Sequence, residues 1–417
     1  MSKEITGTRG RFAGRFAPAL LLAVAAGCGG ENAPPPAAWG GTIDTTAAGT
    51  VVVTNPATPL APESGPWRLT EEIRIGSMMG EGPETLGRVG DLLADAEGRI
   101  YVLETQAQEI RVFDADGRFL HTIGHEGEGP GELKQAAAMG WGPGGELKVA
   151  DMGNARISVF NRDGEFLTSQ PQPGGFQMFP WPGAFEADGG VITPIPRMVD
   201  GEFQPALVRY DAFAQPVDTF PMPRYQGKEN VFELASEGGG GIIASVPYSP
   251  GLAWDLDPAG YFWVAPNSGE YRIHKVNFAG DTLLTMYKPH ESFGVTATEI
   301  DSATASMKWF TDQGGRVDRS KFPDHKPALT RLFVTEDGYL MVRPVTAEFG
   351  SGWGSPATVL DVFDPGGRYV TRLPLPPGMQ TASPEPLFTE DFVYAVVEDE
   401  LEVPYVVRYR IDTHQVG

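Results

Sequence analysis

The stretch Gly98-Arg99-Ile100-Tyr101-Val102-Leu103-Glu104, continued by Ile110-Arg111-Val112-Phe113-Asp114-Ala115-Asp116-Gly117-Arg118-Phe119-Leu120, decides the fold. It recurs 47 residues later as Gly145-Glu146-Leu147-Lys148-Val149-Ala150-Asp151 and Ile157-Ser158-Val159-Phe160-Asn161-Arg162-Asp163-Gly164-Glu165-Phe166-Leu167. Apolar and polar residues alternate with the strand period of two. Each Asp-Gly stands between two such runs, where a tight hairpin needs a residue that tolerates positive φ. Fainter copies continue, so that the later strand of each ends near positions 113, 160, 210, 276, 363 and 409. Four-stranded units of about 40–50 residues that bury one face on the next are propeller blades. The expected fold is therefore all-β, a six-bladed β-propeller of four-stranded antiparallel blades.

Ring closure is also legible. Ile123-Gly124-His125-Glu126-Gly127-Glu128-Gly129-Pro130 follows the outermost strand of one copy, and Ile75-Gly76-Ser77-Met78-Met79-Gly80-Glu81-Gly82-Pro83 is an earlier near-copy. Residues 67–76 thus read as an outermost strand whose blade is completed elsewhere. The last copy supplies only three strands before the chain ends, so the N-terminal strand should complete the sixth blade. The propeller is expected over 67–414. Two insertions break the period, about 221–249 and 288–327, the second with a capping box at Thr296-Ala297-Thr298-Glu299. Insertions in repeat folds usually gather on one face, often the binding face.

Composition agrees with this architecture. Gly (53) and Pro (37) make up about 22% of the 417 residues, too many for long helices and within reach of a turn-rich β protein. The net charge is −22, and it becomes −25 once the four basic residues and one acid before residue 28 are set aside. Such an acidic body repels phosphate backbones, so no nucleic-acid partner is expected.

Residues 1–27 read as a secretory signal. A basic segment precedes the apolar run Ala17-Pro18-Ala19-Leu20-Leu21-Leu22-Ala23-Val24-Ala25-Ala26, which is too short to span about 30 Å of hydrocarbon. The site Ala25-Ala26-Gly27-Cys28 resembles a bacterial lipobox, although Ala25 stands where leucine is usual. The resemblance implies a Sec-type signal and lipid attachment at Cys28, the single cysteine of the chain. Gly29 rather than Asp after it implies the outer membrane. Residues 28–66 are rich in Pro, Ala and Thr, the composition of a tether, with Thr50-Val51-Val52-Val53-Thr54 as a candidate edge strand.

The pattern of Gly98–Leu120, and Val149-Ala150-Asp151-Met152-Gly153-Asn154-Ala155-Arg156-Ile157-Ser158-Val159-Phe160, resembles NHL-type repeats of six-bladed propellers. Gly127-Glu128-Gly129-Pro130-Gly131-Glu132 is similar to a segment of bacterial six-bladed propeller lipoproteins. The likeness implies a fold and little chemistry, because this fold hosts binding modules, lyases and lactonases alike.

Motifs for catalysis are mostly missing. Gly350-Ser351-Gly352-Trp353-Gly354 has its serine one place too early for a nucleophile elbow. Asp114-x-Asp116-Gly117 starts like a calcium loop but lacks its distal glutamate. One constellation stands out. Residues just after the second strand of each blade should ring one mouth of the central channel: Glu104, Asp151, Asn154, Asn267, Arg343 and Glu398. Related lactonases hold a divalent cation there, and oxygen ligands suit calcium or magnesium. The alternative is that Asp and Asn at such turns bond their own backbone, and no cofactor is then required. Two functional readings follow. One is an envelope-anchored, monomeric binding or scaffolding propeller for a protein or small ligand. The other is a metal-dependent hydrolase, lactonase or lyase acting at the channel mouth.

Overall fold

The computed structural model of the chain describes residues 39–60, 67–172, 183–186, 188–199, 202–221, 231–235, 241–249, 251–257, 259–265, 269–347, 349–350 and 357–413. Cys28 and Asn267 lie outside them. The fold is a six-bladed propeller. Blade one comprises Val89–Ala94, Ile100–Glu104, Glu109–Phe113 and Phe119–Ile123, ordered from the channel outward. Blade two repeats the order with Ala136–Trp141, Leu147–Asp151, Arg156–Phe160 and Phe166–Pro171. Blade three is Ala184–Phe185, Val191–Val199, Glu202–Tyr210 and Pro216–Pro221. Blade four is Ala253–Leu256, Phe262–Ala265, Arg272–Val276 and Thr282–Tyr287. Blade five is Leu329–Val334, Leu340–Pro344, Val359–Phe363 and Tyr369–Pro374.

Blade six is built from both ends of the ring. Leu387–Phe388, Phe392–Glu398 and Pro404–Asp412 are completed by Arg68–Ile75, which pairs antiparallel with Pro404–Asp412 from Val406↔Ile75 to Asp412↔Arg68. The sequence predicted this closure.

The core is distributed over six seams. Alternation along Ile100–Glu104 sends Ile100 and Val102 into the seam with blade six, beside Tyr394, Val396 and Val406. Tyr101 and Leu103 face blade two, beside Met139, Val149 and Phe160. The second strand of a blade is therefore buried on both faces, as the unbroken burial of Ile100–Glu104 and Leu147–Asp151 records. A fully buried Ile, Leu or Val contributes about 1.5–3 kcal/mol, so cohesion scales with how many such residues each seam collects. The seam between blades two and three collects only Ala150, Met152, Ile157 and Val191 among the described buried residues.

The repeated turn between third and fourth strands has two physical reasons. Asp114 accepts hydrogen bonds from the N–H groups of Asp116 and Arg118, both at 2.9 Å, and so closes the turn between third and fourth strands. Gly117 follows at φ +81°, and a Cβ there would lie 2.8 Å from Ile73 of blade six. Gly164 repeats this against Ile123 of blade one. The glycine thus serves both the turn and the approach of the preceding blade.

Part of the segment read as tether is docked. Val51–Thr54 forms a hairpin with Thr42–Thr45 and pairs in parallel with Thr282–Tyr287, extending blade four outward. Val53 is fully buried in the seam between blades four and five. Asn55, 2% exposed, donates to Gly367 O at 2.9 Å and accepts from Tyr369 N at 2.6 Å, tying this strap to blade five.

Candidate functional site

In this topology the first strand of each blade begins, and the second ends, on the same face of the ring. The crossings between blades lie there too. Both period-breaking insertions are such crossings, so both rise from the face that carries the mouth residues expected from sequence.

The insertions fold together. The hairpin Val231–Ala235/Gly241–Ser245 and the helices Ala297–Ser306 and Lys308–Thr311 share one core. Phe232, Val246 and Tyr248 from the first insertion pack with Ala303, Met307, Phe310 and Phe322 from the second. Thr296 caps the longer helix by accepting from Glu299 N, and the Glu299 carboxylate accepts in turn from Thr296 N. We call this unit the cap. Lys326 fastens it: its buried ammonium donates to the carbonyls of Ala347 (3.1 Å) and Phe349 (3.0 Å) and pairs with Glu299 at 2.7 Å. Ile243 (66%) and Trp309 (51%) remain exposed on it.

The described mouth residues sit at the expected strand ends, and several carboxylates are spent on local backbone. Glu104, 2% exposed, accepts from Arg88 N (2.5 Å) and Ala107 N (2.6 Å). Asp151, fully buried, accepts from Lys134 N at 2.8 Å, Asn154 Nδ2 at 2.8 Å and Arg156 Nε at 2.9 Å. Asn154 donates also to Gly127 O at 3.0 Å, binding the crossing to its own blade. Glu398 accepts from Gln380 Nε2, and burial followed by Glu402 raises its carboxyl. Arg343 is nearly buried, lies over the Phe349 ring at 5.9 Å, and is held down at about 10 by burial and by Arg331. Among the described residues no three His, Cys, Asp or Glu side chains converge to hold a metal ion.

The channel wall carries a second set, which the sequence reading missed. Asp91 stands in the innermost strand of blade one, just past a bulge at Gly90. Its two oxygens accept from Leu92 N at 2.9 Å and, across the seam, from Met139 N of blade two at 2.6 Å. Asp255 in blade four does the same with Leu256 N at 2.8 Å and Val334 N of blade five at 2.7 Å. Burial pushes both carboxyls up to about 7, with Glu385 adding to the rise. Arg331 in blade five pairs with Glu385 on the crossing into blade six. The Glu385 carboxyl is raised by burial, against the opposing effect of Arg331. Innermost strands are sheet edges with unpaired N–H groups, and Asp at that position satisfies one on the neighbouring blade. Only the three-dimensional adjacency of blades marks these aspartates out; in sequence they are ordinary acids flanked by apolar residues.

Fold and site together define a six-bladed propeller with a cap on one face of the ring. Residues 85–173 match a family described as 6-bladed beta-propeller. No curated protein matches the chain. Among solved structures, a Bacteroides fragilis protein named as an expected exported protein is 12% identical at TM-score 0.51, covering 87% of this chain and all of its own. A member of the DUF4221 family from Bacteroides vulgatus is 12% identical at TM-score 0.50, covering 84% of this chain and 99% of its own. A gluconolactonase from Xanthomonas campestris aligns at 13% identity and TM-score 0.40 over 78% of this chain and 87% of its own. At these identities the likeness concerns the fold alone.

Proposed function

We propose that this protein is an exported, lipid-anchored binding or scaffolding module, and that its ligand or partner meets the capped face of the ring. The observation that carries the reading is the cap: two crossings separated by a whole blade share one aromatic core on the face where the second strands end. A shared core of that kind fixes a surface in place at the site where repeat folds usually bind. The bonding of Glu104 and Asp151 favours binding over metal chemistry, because their oxygens already serve backbone donors. Export and anchoring rest on the signal-like residues 1–27 with Cys28, and export also on the name of the Bacteroides fragilis neighbour. NHL-like patterning in blades one and two is consistent with such a module.

Pull-down from cross-linked cell envelopes tests the binding reading, comparing the intact chain with a variant whose cap core is broken by Phe310→Ala. Specific capture by the intact chain and its loss in the variant is expected. Equal capture by both would place binding elsewhere, and turnover of lactone substrates with a calcium requirement would overturn the reading altogether. Anchoring has a separate test. Cys28→Ser should move the protein from membrane to soluble fractions, and a variant that still pellets with membranes would sink that part.

A further inference from the structure

The exposed large apolar side chains of the ring are divided unevenly between its two faces. Met78 and Met79 lie on the crossing into blade one, and Leu401 in the turn between the second and third strands of blade six. Ile243 and Trp309 stand on the cap. All five belong to the face on which the crossings run. Among the described residues, the turns of the opposite face expose only Phe213, between the third and fourth strands of blade three.

The strap arrives at this same face. Val51–Thr54 runs parallel with Thr282–Tyr287, so Thr54 lies beside Tyr287, at the strand end from which the second insertion departs. Thr42 pairs with Thr54, and Trp39 packs against the seam between blades four and five. The chain therefore meets the folded body at the cap-bearing end of blade four. Cys28 to Trp39 is eleven residues, a reach of at most about 40 Å when fully extended. Charge permits a close approach there. Residues 288–327 hold six Lys or Arg and six Asp or Glu, whereas the whole chain holds 32 and 54. An anionic surface repels the acidic body but not this balanced segment.

We infer that the capped face is turned toward the bilayer, with Trp309 and Ile243 seated among the phospholipid headgroups. The inference rests on the proposed anchoring at Cys28 and specifies what the anchored face meets: a phospholipid surface, at which the module then encounters its ligand. A tether alone leaves the body free to turn, and apolar side chains confined to one face remove that freedom. So short a link also keeps the face at high effective concentration over the membrane, where a few weak contacts suffice. Trp309 suits the position because its ring is apolar while its indole N–H still finds a partner among headgroups. Ile243 adds apolar area that contact with lipid takes out of water.

Phosphatidylcholine vesicles that carry the lipidated full-length chain, doped with a lipid whose headgroup bears a quencher, test the orientation. Acylation occupies Cys28, the single cysteine, so Ile243→Cys, Trp309→Cys and Phe213→Cys each accept a fluorescent label at one place. These positions are exposed, and labelling them leaves the core untouched. Labels at 243 and 309 should lose most of their fluorescence to the quencher, and the label at 213 should keep its own. Equal quenching at all three, stronger quenching at 213, or none at any position in a chain that floats with the vesicles would overturn the inference. A chain that fails to float with the vesicles would sink the anchoring reading and this inference with it, so flotation tells the two failures apart. Labels at 243 and 309 shielded in native envelopes yet unquenched in the vesicles would assign the face to a protein and overturn the inference too.

Discussion

At the residue scale, a buried ion pair and an unpaired, half-buried carboxyl behave in opposite ways. Lys288 and Asp361, both buried at the seam between blades four and five, meet at 3.0 Å. Tyr271 and Tyr369 each donate to the same carboxylate at 2.9 Å. Asp361→Ala leaves a buried ammonium unpaired and should cost about 3–5 kcal/mol in chemical denaturation. The paired change Lys288→Met with Asp361→Leu should cost much less, and equal costs would disprove the coupling. Asp91 and Asp255 act the other way on the whole protein. Their folded positions lie above the unfolded value, so folding takes up protons between about pH 4 and 7. Stability should fall as pH rises through that window. His274, lowered by burial, contributes the reverse trend below its usual range, but the raised Glu385 and Glu398 act in the same sense as the two aspartates. Melting should therefore be higher at pH 5.5 than at pH 8, and a variant carrying both Asp91→Asn and Asp255→Asn should show less of this difference. Of these residues, Asp91 and Asp255 gave no signal in the sequence, because an acid among apolar residues has no partner across a seam until neighbouring blades are in place.

At the element scale, seam content ranks the blades. The seam between blades two and three joins four described buried residues, whereas that between blades five and six joins sixteen. At about 25 cal/mol per Å² of apolar surface buried, the former should open first. Hydrogen exchange in 191–195 should be faster than in 393–397, and the reverse order would contradict the ranking. The cap is a separate cooperative unit with its own core. Phe310→Ala removes a fully buried ring and should destabilise the cap by about 3–5 kcal/mol. Limited proteolysis would then cut first within 297–322 while the ring stays intact. The capping box announced the helix in the sequence, since Thr296 and Glu299 stand three apart before an apolar run. Its partnership with the hairpin 231–245 was not legible, because nothing in either insertion encodes which other loop it meets.

At the scale of the whole molecule, the ring is closed by the strand Arg68–Ile75, and the strap from Trp39 to Leu60 runs over blades four and five before it. Removing residues 67–75 exposes the edge of Pro404–Asp412 and the seam residues around Ile75. Loss of cooperative unfolding, or a melting point lower by tens of degrees, is expected, and an unchanged melting curve would refute closure by this strand. Asn55→Ala breaks both buried bonds of the strap and should cost about 2–3 kcal/mol without opening the ring. Since the outermost strand of blade six lies at the start of the chain and its partner at the end, the ring cannot close until the last strand is made.

Repeat period, hairpin glycines, blade number and the closing strand were all determined by the sequence alone. Each rests on local chemistry: alternation, a positive φ, or a near-copy at a fixed spacing. The cap core, the strap across two blades and the channel-wall aspartates were decided only by the tertiary structure. Each depends on which surfaces become neighbours once six blades stand in a circle, and burial then sets the energy of groups whose sequence context is ordinary.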